Sequence, residues 1–201
     1  MTTSPEARGQ AAFDELLKRE AGSVQIHLMQ TNWVPGLFQV EAYAAGMIGG
    51  VLSLEPGDQE LADRVHKRMK RAAGLAERLE GEEPPQISVL IDEGALRRLV
   101  GDRETMRKQL AHLSDVAKLP TVDLGIVPFG AGAYPGLAGP FEVHRDARGD
   151  EAVYFESAGE SRIVLDEAEA ERRRVLMESM MASAVSGDDA RSLLETISRE
   201  L

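Results

Sequence analysis

The stretch "QISVLIDEGALRRLVGDRETMRKQLAHLSDVAKLPTVDLGIVPF", residues 86–129, decides the fold. It opens on an apolar run, Ile87 to Ile91, of strand length. Asp92 follows where a helix N-cap belongs, because a short carboxylate can accept the first free backbone N–H groups. In "DRETMRKQLAHLSDVAKLP" the residues Met106, Gln109, Leu110, Leu113 and Ala117 share the inner face of a helix, which Pro120 ends. "TVDLGIVPF" then reads as a buried strand. A strand, a helix and a strand in that order make a crossover whose strands lie parallel, with right-handed connection.

Upstream, Ala12, Leu16, Leu17 and Ala21 form one helical stripe that Gly22 closes, and Val24, Ile26 and Leu28 alternate as in a strand. Pro35 suits the first turn of a helix through "PGLFQVEAYAAGMI", with Leu37, Phe38, Ala42, Ala45 and Ile48 inward and Gly49 and Gly50 turning the chain out. Asp58 caps a long amphipathic helix with Leu61, Val65, Met69, Ala72, Ala76 and Leu79 on its stripe; Gly81, Pro84 and Pro85 stop it. Downstream, the glycine-rich loop "GAGAYPGLAG" leads to three short strands, "PFEVHR", "AVYFE" and "RIVL". The turns "DARGD" and "SAGES" between them predict an antiparallel meander. "DEAEAERRRVLMESMMASAV" and "SGDDARSLLETISREL" are helices. The expected class is α+β: a helical N-terminal part on a small mixed sheet with one parallel β-α-β crossover, an antiparallel meander and C-terminal helices. Residues 1–20 form a helical arm and 21–201 a single domain.

Composition narrows the function. Apolar residues make up 43% of the 201, enough for a core, and cysteine is absent, which excludes disulfides and thiolate chemistry. The formal net charge of −11 repels a phosphate backbone, so direct DNA binding is not expected. No apolar leader segment stands at the start, and the longest weakly polar run, "YAAGMIGGVLSL", is shorter than the ~20 residues of a membrane span. A cytoplasmic protein without membrane partner is the expectation.

Recognisable catalytic motifs are missing. The glycine loop lacks the Gly-Lys-Ser/Thr of a phosphate loop and leads into a strand, so it reads as a wide connection or a pocket rim. Asp92 and Glu93 stand at a strand end, where parallel sheets often carry catalysis, but helix capping selects the same residues. His27, His66, His112 and His144 lack metal-site spacing, so no metal and no cofactor is expected. The basic run from Arg64 to Arg71 reads as a solvated helix face, and Met177, Met180 and Met181 as core filler or as an adaptable contact surface for a homodimer. Three of the nine aromatic residues, Trp33, Phe38 and Tyr43, stand together in one short segment. They seal the helical part onto the sheet or line a pocket; the residues alone leave both open.

The series "WVPGLFQVEAYAAGMI", "RVHKRMKR", "VLIDEGALRRLVGDRETMRKQLAHLSDVAKLPTVDLGIVPFGAGAYPGLAGPFEV" and "VYFE" resembles, in order, the motifs of a domain of unknown function. That domain (DUF5753-type, the Scr1-like, antitoxin-like C-terminal module) is common in actinobacterial helix-turn-helix regulators of the Xre type. The likeness spans residues 21–201, with departures at Val40, where the pattern favours Thr, after "KRMKR", where a Gln is usual, and at "FESAGES". The resemblance implies a regulatory half that receives a small molecule or a small partner protein. About twenty residues precede it, too few for a DNA-binding unit, so a stand-alone sensory domain that does not bind DNA by itself is expected. Trp33, Phe38, Tyr43, Tyr134 and Phe141 are its candidate ligand-binding residues, placed around one hollow by the proline-led helix and the glycine loop. The alternative is a biosynthetic enzyme reusing the pocket, with Glu41, Asp92, Glu93 or Glu156 as acid or base.

Overall fold

The computed structural model describes residues 5–156 and 161–201. Its strands form one sheet. In the middle β1 (Ser23–Gln30), β2 (Gln86–Asp92) and β3 (Val122–Val127) run parallel, with Ile26 opposite Ile87 and Ile87 opposite Val122. Beyond β1 the meander follows, each strand antiparallel to the last: β4 (Phe141–Asp146), β5 (Glu151–Phe155) and β6 (Arg162–Val164). On the far edge the two-residue β7 (Val185–Ser186) pairs antiparallel with β3. The order is β6-β5-β4-β1-β2-β3-β7.

The crossover anticipated from residues 86–129 is present, carried by α4 (Glu93–Arg97) and α5 (Arg103–Val116). A second parallel connection joins β1 to β2 through α2 (Glu41–Leu52) and α3 (Gln59–Leu79). The mixed class therefore holds, with more of the sheet parallel than the sequence suggested. Central strands covered on both faces must be apolar on both. Ile26 and Leu28 accordingly face a large core with α2, α3, α5 and α7 (Gly187–Glu200), whereas Met29, Leu90, Phe141 and Val143 face α6 (Glu167–Met181). Each fully buried Leu or Ile contributes about 1.5–3 kcal/mol, relative to exposure, to holding these layers. The N-terminal helix α1 (Pro5–Gly22) lies on the meander, with Ala12 and Leu16 against Tyr154.

Local departures have physical causes. Pro35 does not start a long helix: it precedes a single 3-10 turn, Gly36–Phe38, and α2 begins at Glu41. Side chains claim the backbone groups of this turn, as described below, so helical bonding cannot run through it. Tyr43, Ala44, Met47 and Ile48 face inward and Ala42 is exposed; α2 continues through Gly49 and Gly50 and ends at Ser53, in left-handed conformation with φ 56°. On α3 the inner stripe is Leu61, Val65 and Leu75, with Arg68 and Arg71 half-buried between them, while Ala76 is exposed. The basic run is thus not wholly a solvated face. On α1 it is Glu20, not Ala21, that is buried. Met177 and Met180 pack into the core beneath α6, so they offer no surface to a second copy. The turn expected at 157–161 lies, Ser161 apart, outside the described residues, as do the first four residues of the arm. Among the described residues no helix is long and apolar enough to cross a membrane.

Candidate functional site

Two sets of hydrogen bonds lock the motif segments together. In the first, Gln109, fully buried on α5, donates Nε2–H to the Phe38 carbonyl (2.7 Å) and accepts the Val40 N–H at Oε1 (2.8 Å). Gln39 donates Nε2–H to the Val34 carbonyl (2.7 Å), and Arg68 Nη1–H donates back to Gln39 Oε1 (2.9 Å). The Val34 N–H donates to the Tyr43 hydroxyl (3.2 Å). A buried irregular turn needs such partners for its backbone.

In the second set, Asp92 caps α4 by accepting the Gly94 N–H at Oδ1 (2.7 Å), and its Oδ2 accepts the Tyr134 hydroxyl (2.8 Å). Glu93, 7% exposed, accepts the Phe129 N–H at Oε2 (2.7 Å) and Arg97 Nε–H at Oε1 (2.6 Å). Burial, reinforced by the Asp92 hydrogen bond and charge, pushes the Tyr134 phenol far above its ordinary range. The glycine loop closes down on this network: a Cβ on Gly136 would stand 2.0 Å from Met29 Cε and 2.4 Å from Tyr134 Cε2. The loop is anchored at Tyr134 and Gly136 and otherwise mostly exposed, and Tyr134 and Phe141 belong to the α6 side of the sheet.

A large cavity lies on the other side. It is a cleft of about 750 Å³ between α1, α2 and α3, within the usual range of small-molecule sites. Trp33, Phe13 and Leu17 wall it with Met47, Ile48, Val51 and Leu52 of α2. Arg64, Lys67, Arg68 and Arg71 approach from α3, and Tyr154 and Glu156 stand at its floor. A recess of about 20 Å³ shares Trp33, Arg68, Arg71, Tyr154 and Glu156 with the cleft and adds Gln30 and Glu142.

Charge in this inner region is dense. Arg71 clasps Glu20 through two hydrogen bonds (Nη2–Oε2 2.5 Å, Nε–Oε1 3.1 Å) and lies 5.1 Å from the Phe13 ring centroid. Burial alone would favour loss of the Arg71 proton, but the Glu20 bond and charge outweigh it. Arg68 is held below its ordinary value by burial and by Arg71. Glu142 pairs with His144 Nε2 (3.0 Å). Burial works against its charge, but that bond and the His144, Arg71 and Arg68 charges bring its carboxyl below the ordinary range. Glu156 goes the other way: desolvation in the concave floor and the nearby Glu142 raise it, although Arg68 and Arg71 oppose. Water still reaches Glu156, which is exposed to the open cleft. Tyr154 is pushed up to about 12, chiefly by burial.

Of the candidates named from sequence, Trp33 and Glu156 come together in the cleft. Phe38 and Tyr43 are sealed in the core behind Trp33, and Phe141 in the core beneath α6, each at most 2% exposed. Glu41 is exposed on the first turn of α2. The shared hollow expected for Trp33 and the glycine loop does not form: Trp33 packs against the core under α2 and α3, and Tyr134 against the core under α6. Sequence reading passed over Gln30, Arg68, Arg71, Glu142 and Tyr154. A signal existed: Gln30 keeps step with Ile26 and Leu28, Tyr154 with Glu156, and Arg68 and Arg71 with Val65 and Leu75. Among the described residues no cluster of His, Cys, Asp and Glu could hold a metal ion.

A mixed sheet with interlocked motif segments and one large lateral cleft is the class of domain these contacts define. The chain belongs to the family described as "Domain of unknown function (DUF5753)", whose pattern matches residues 13–196. No curated protein and no solved structure matches it.

Proposed function

We propose that this chain is a sensory domain of regulatory origin, of the kind carried by Xre-type regulators, that binds a small molecule and does not bind DNA by itself. The observation that carries the reading is the Trp33 cleft: of small-molecule size, apolar along α2, mixed along α1, charged along α3 and polar at its floor. The acidic net charge of −11 works against nucleic acid as the ligand. The test is a thermal-shift screen of small molecules against wild type and Trp33→Ala, with circular dichroism confirming that both are folded. Ligands that raise the Tm of wild type and leave the variant unmoved are expected. A screen in which every hit stabilises both proteins alike contradicts the reading.

A second reading has one observation in its favour. Glu156, with a raised carboxyl pKa at the cleft floor, is the one candidate acid or base that faces a cavity without being bound up in the scaffold. An enzyme would lose turnover on Glu156→Gln; a receptor has none to lose.

A further inference from the structure

Gln30 is 3% exposed, lines the recess, and its carbonyl oxygen Oε1 has no hydrogen-bond partner. A buried acceptor without a donor is costly, so the position favours something that donates. Glu156, across the same recess, has no hydrogen bond or ion pair with another described residue. Three carboxylates (Glu20, Glu142 and Glu156) share this region with the two guanidinium groups of Arg68 and Arg71. With Glu20 held by Arg71 and Glu142 paired with His144, Glu156 is the one of the three without a hydrogen-bonded partner among the described residues. The recess, about 20 Å³, holds one water-sized group. A carboxylate or phosphate is larger and would meet Glu142 and Glu156; an ammonium fits the volume, offers only donors and suits both the Gln30 oxygen and the unpartnered Glu156 carboxylate.

We propose that the recess seats a protonated amine: its ammonium group lies between Gln30 and Glu156, and its apolar body rests on Trp33, Met47, Ile48 and Val51 in the cleft. The assignment rests on the receptor reading and gives it a ligand class, an amphipathic primary amine. The raised Glu156 carboxyl, set by burial and then by Glu142, agrees, because a cation at this point stabilises the charged form that both disfavour. The chain's overall negative charge draws such a ligand in.

The experiment is a calorimetric titration of the whole chain at neutral pH with octylamine, 1-octanol and octanoate, with Trp33 fluorescence as a parallel readout. Octylamine is expected to bind about tenfold more tightly than 1-octanol or octanoate, the difference a charge-assisted contact provides. Glu156→Gln should erase that preference, and Gln30→Leu should weaken the amine while sparing the alcohol. A variant that fails to fold would show in circular dichroism, and the wild-type comparison of the three ligands decides without it. If all three bind alike and perturb Trp33, the cleft is a receptor site and the amine assignment is overturned. If octanoate binds best, the arginines rather than Glu156 recognise the ligand and the assignment is again wrong. If none binds and Trp33 is unmoved, the amine assignment falls; a failed wider screen with Trp33→Ala is what would remove the receptor reading too.

Discussion

Gln109 shows how a single residue carries a motif. Its amide satisfies Val40 N–H and the Phe38 carbonyl at once, joining α5 to the turn that holds Trp33 in place. Gln109→Leu would leave both groups unpaired and should cost about 2–4 kcal/mol in urea denaturation with an unchanged slope; a loss near zero would mean that water replaces the amide. Its inward position was legible from helical spacing, but its partners were not, because nothing in a sequence tells which distant backbone groups lack donors. Glu156 gives a pH prediction. Its native carboxyl binds a proton more tightly than the unfolded one, so between the two values stability falls as pH rises. Burial and then Glu142 on β4 raise it, and Arg68 and Arg71 on α3 oppose. Glu156→Gln should therefore have a higher Tm than wild type at pH 7, and the gap should close below the ordinary carboxylate range. A variant less stable than wild type at pH 7 would contradict this.

At the scale of elements, α1 is fastened to α3 by charge as well as by packing. Arg71 holds Glu20, and Arg78 donates to the Glu20 carbonyl (2.8 Å) and to that of Ser23 at the helix end. Glu20→Ala leaves a largely buried guanidinium without its carboxylate and should cost about 3 kcal/mol. The check is chemical denaturation, together with faster proteolysis within α1; resistance equal to wild type would show that apolar contacts alone dock the helix. The glycine loop makes a comparable statement on the opposite face. Gly136→Ala must displace both Met29 and the Tyr134 ring, and should weaken the Tyr134–Asp92 hydrogen bond, read as a fall in the Tyr134 pKa from its raised native position. Elements with strong period, such as α5 and the β2–β3 crossover, could be read directly. The β1–β2 crossover could not, because two helices and an irregular turn separate the strands. The two-residue β7 is too short to leave a pattern.

Across the whole molecule, the segments that look most like motifs are largely absorbed by scaffold. Asp92, Glu93 and Tyr134 bind one another's loops, and Phe38, Gln39, Tyr43 and Gln109 fix one turn. What they frame is the cleft, and its polar floor comes from residues two apart on β1, β4 and β5 together with the inner arginines of α3. The fold class was open to reading because alternation and helical spacing are properties of neighbouring residues. The site was only half open to it, because a cleft forms where three helices fail to close over a sheet, and that gap is a property of the assembled layers. On the proposed reading this cleft is a small-molecule receptor site with an amine at its inner end. The most direct measurement is to expose wild type, Trp33→Ala and Glu156→Gln to one mixed extract of small metabolites, wash, denature, and compare the released molecules by mass spectrometry. Enrichment of an amphipathic amine by wild type and by neither variant is the predicted result; equal recovery from all three proteins, or recovery of nothing, would contradict it.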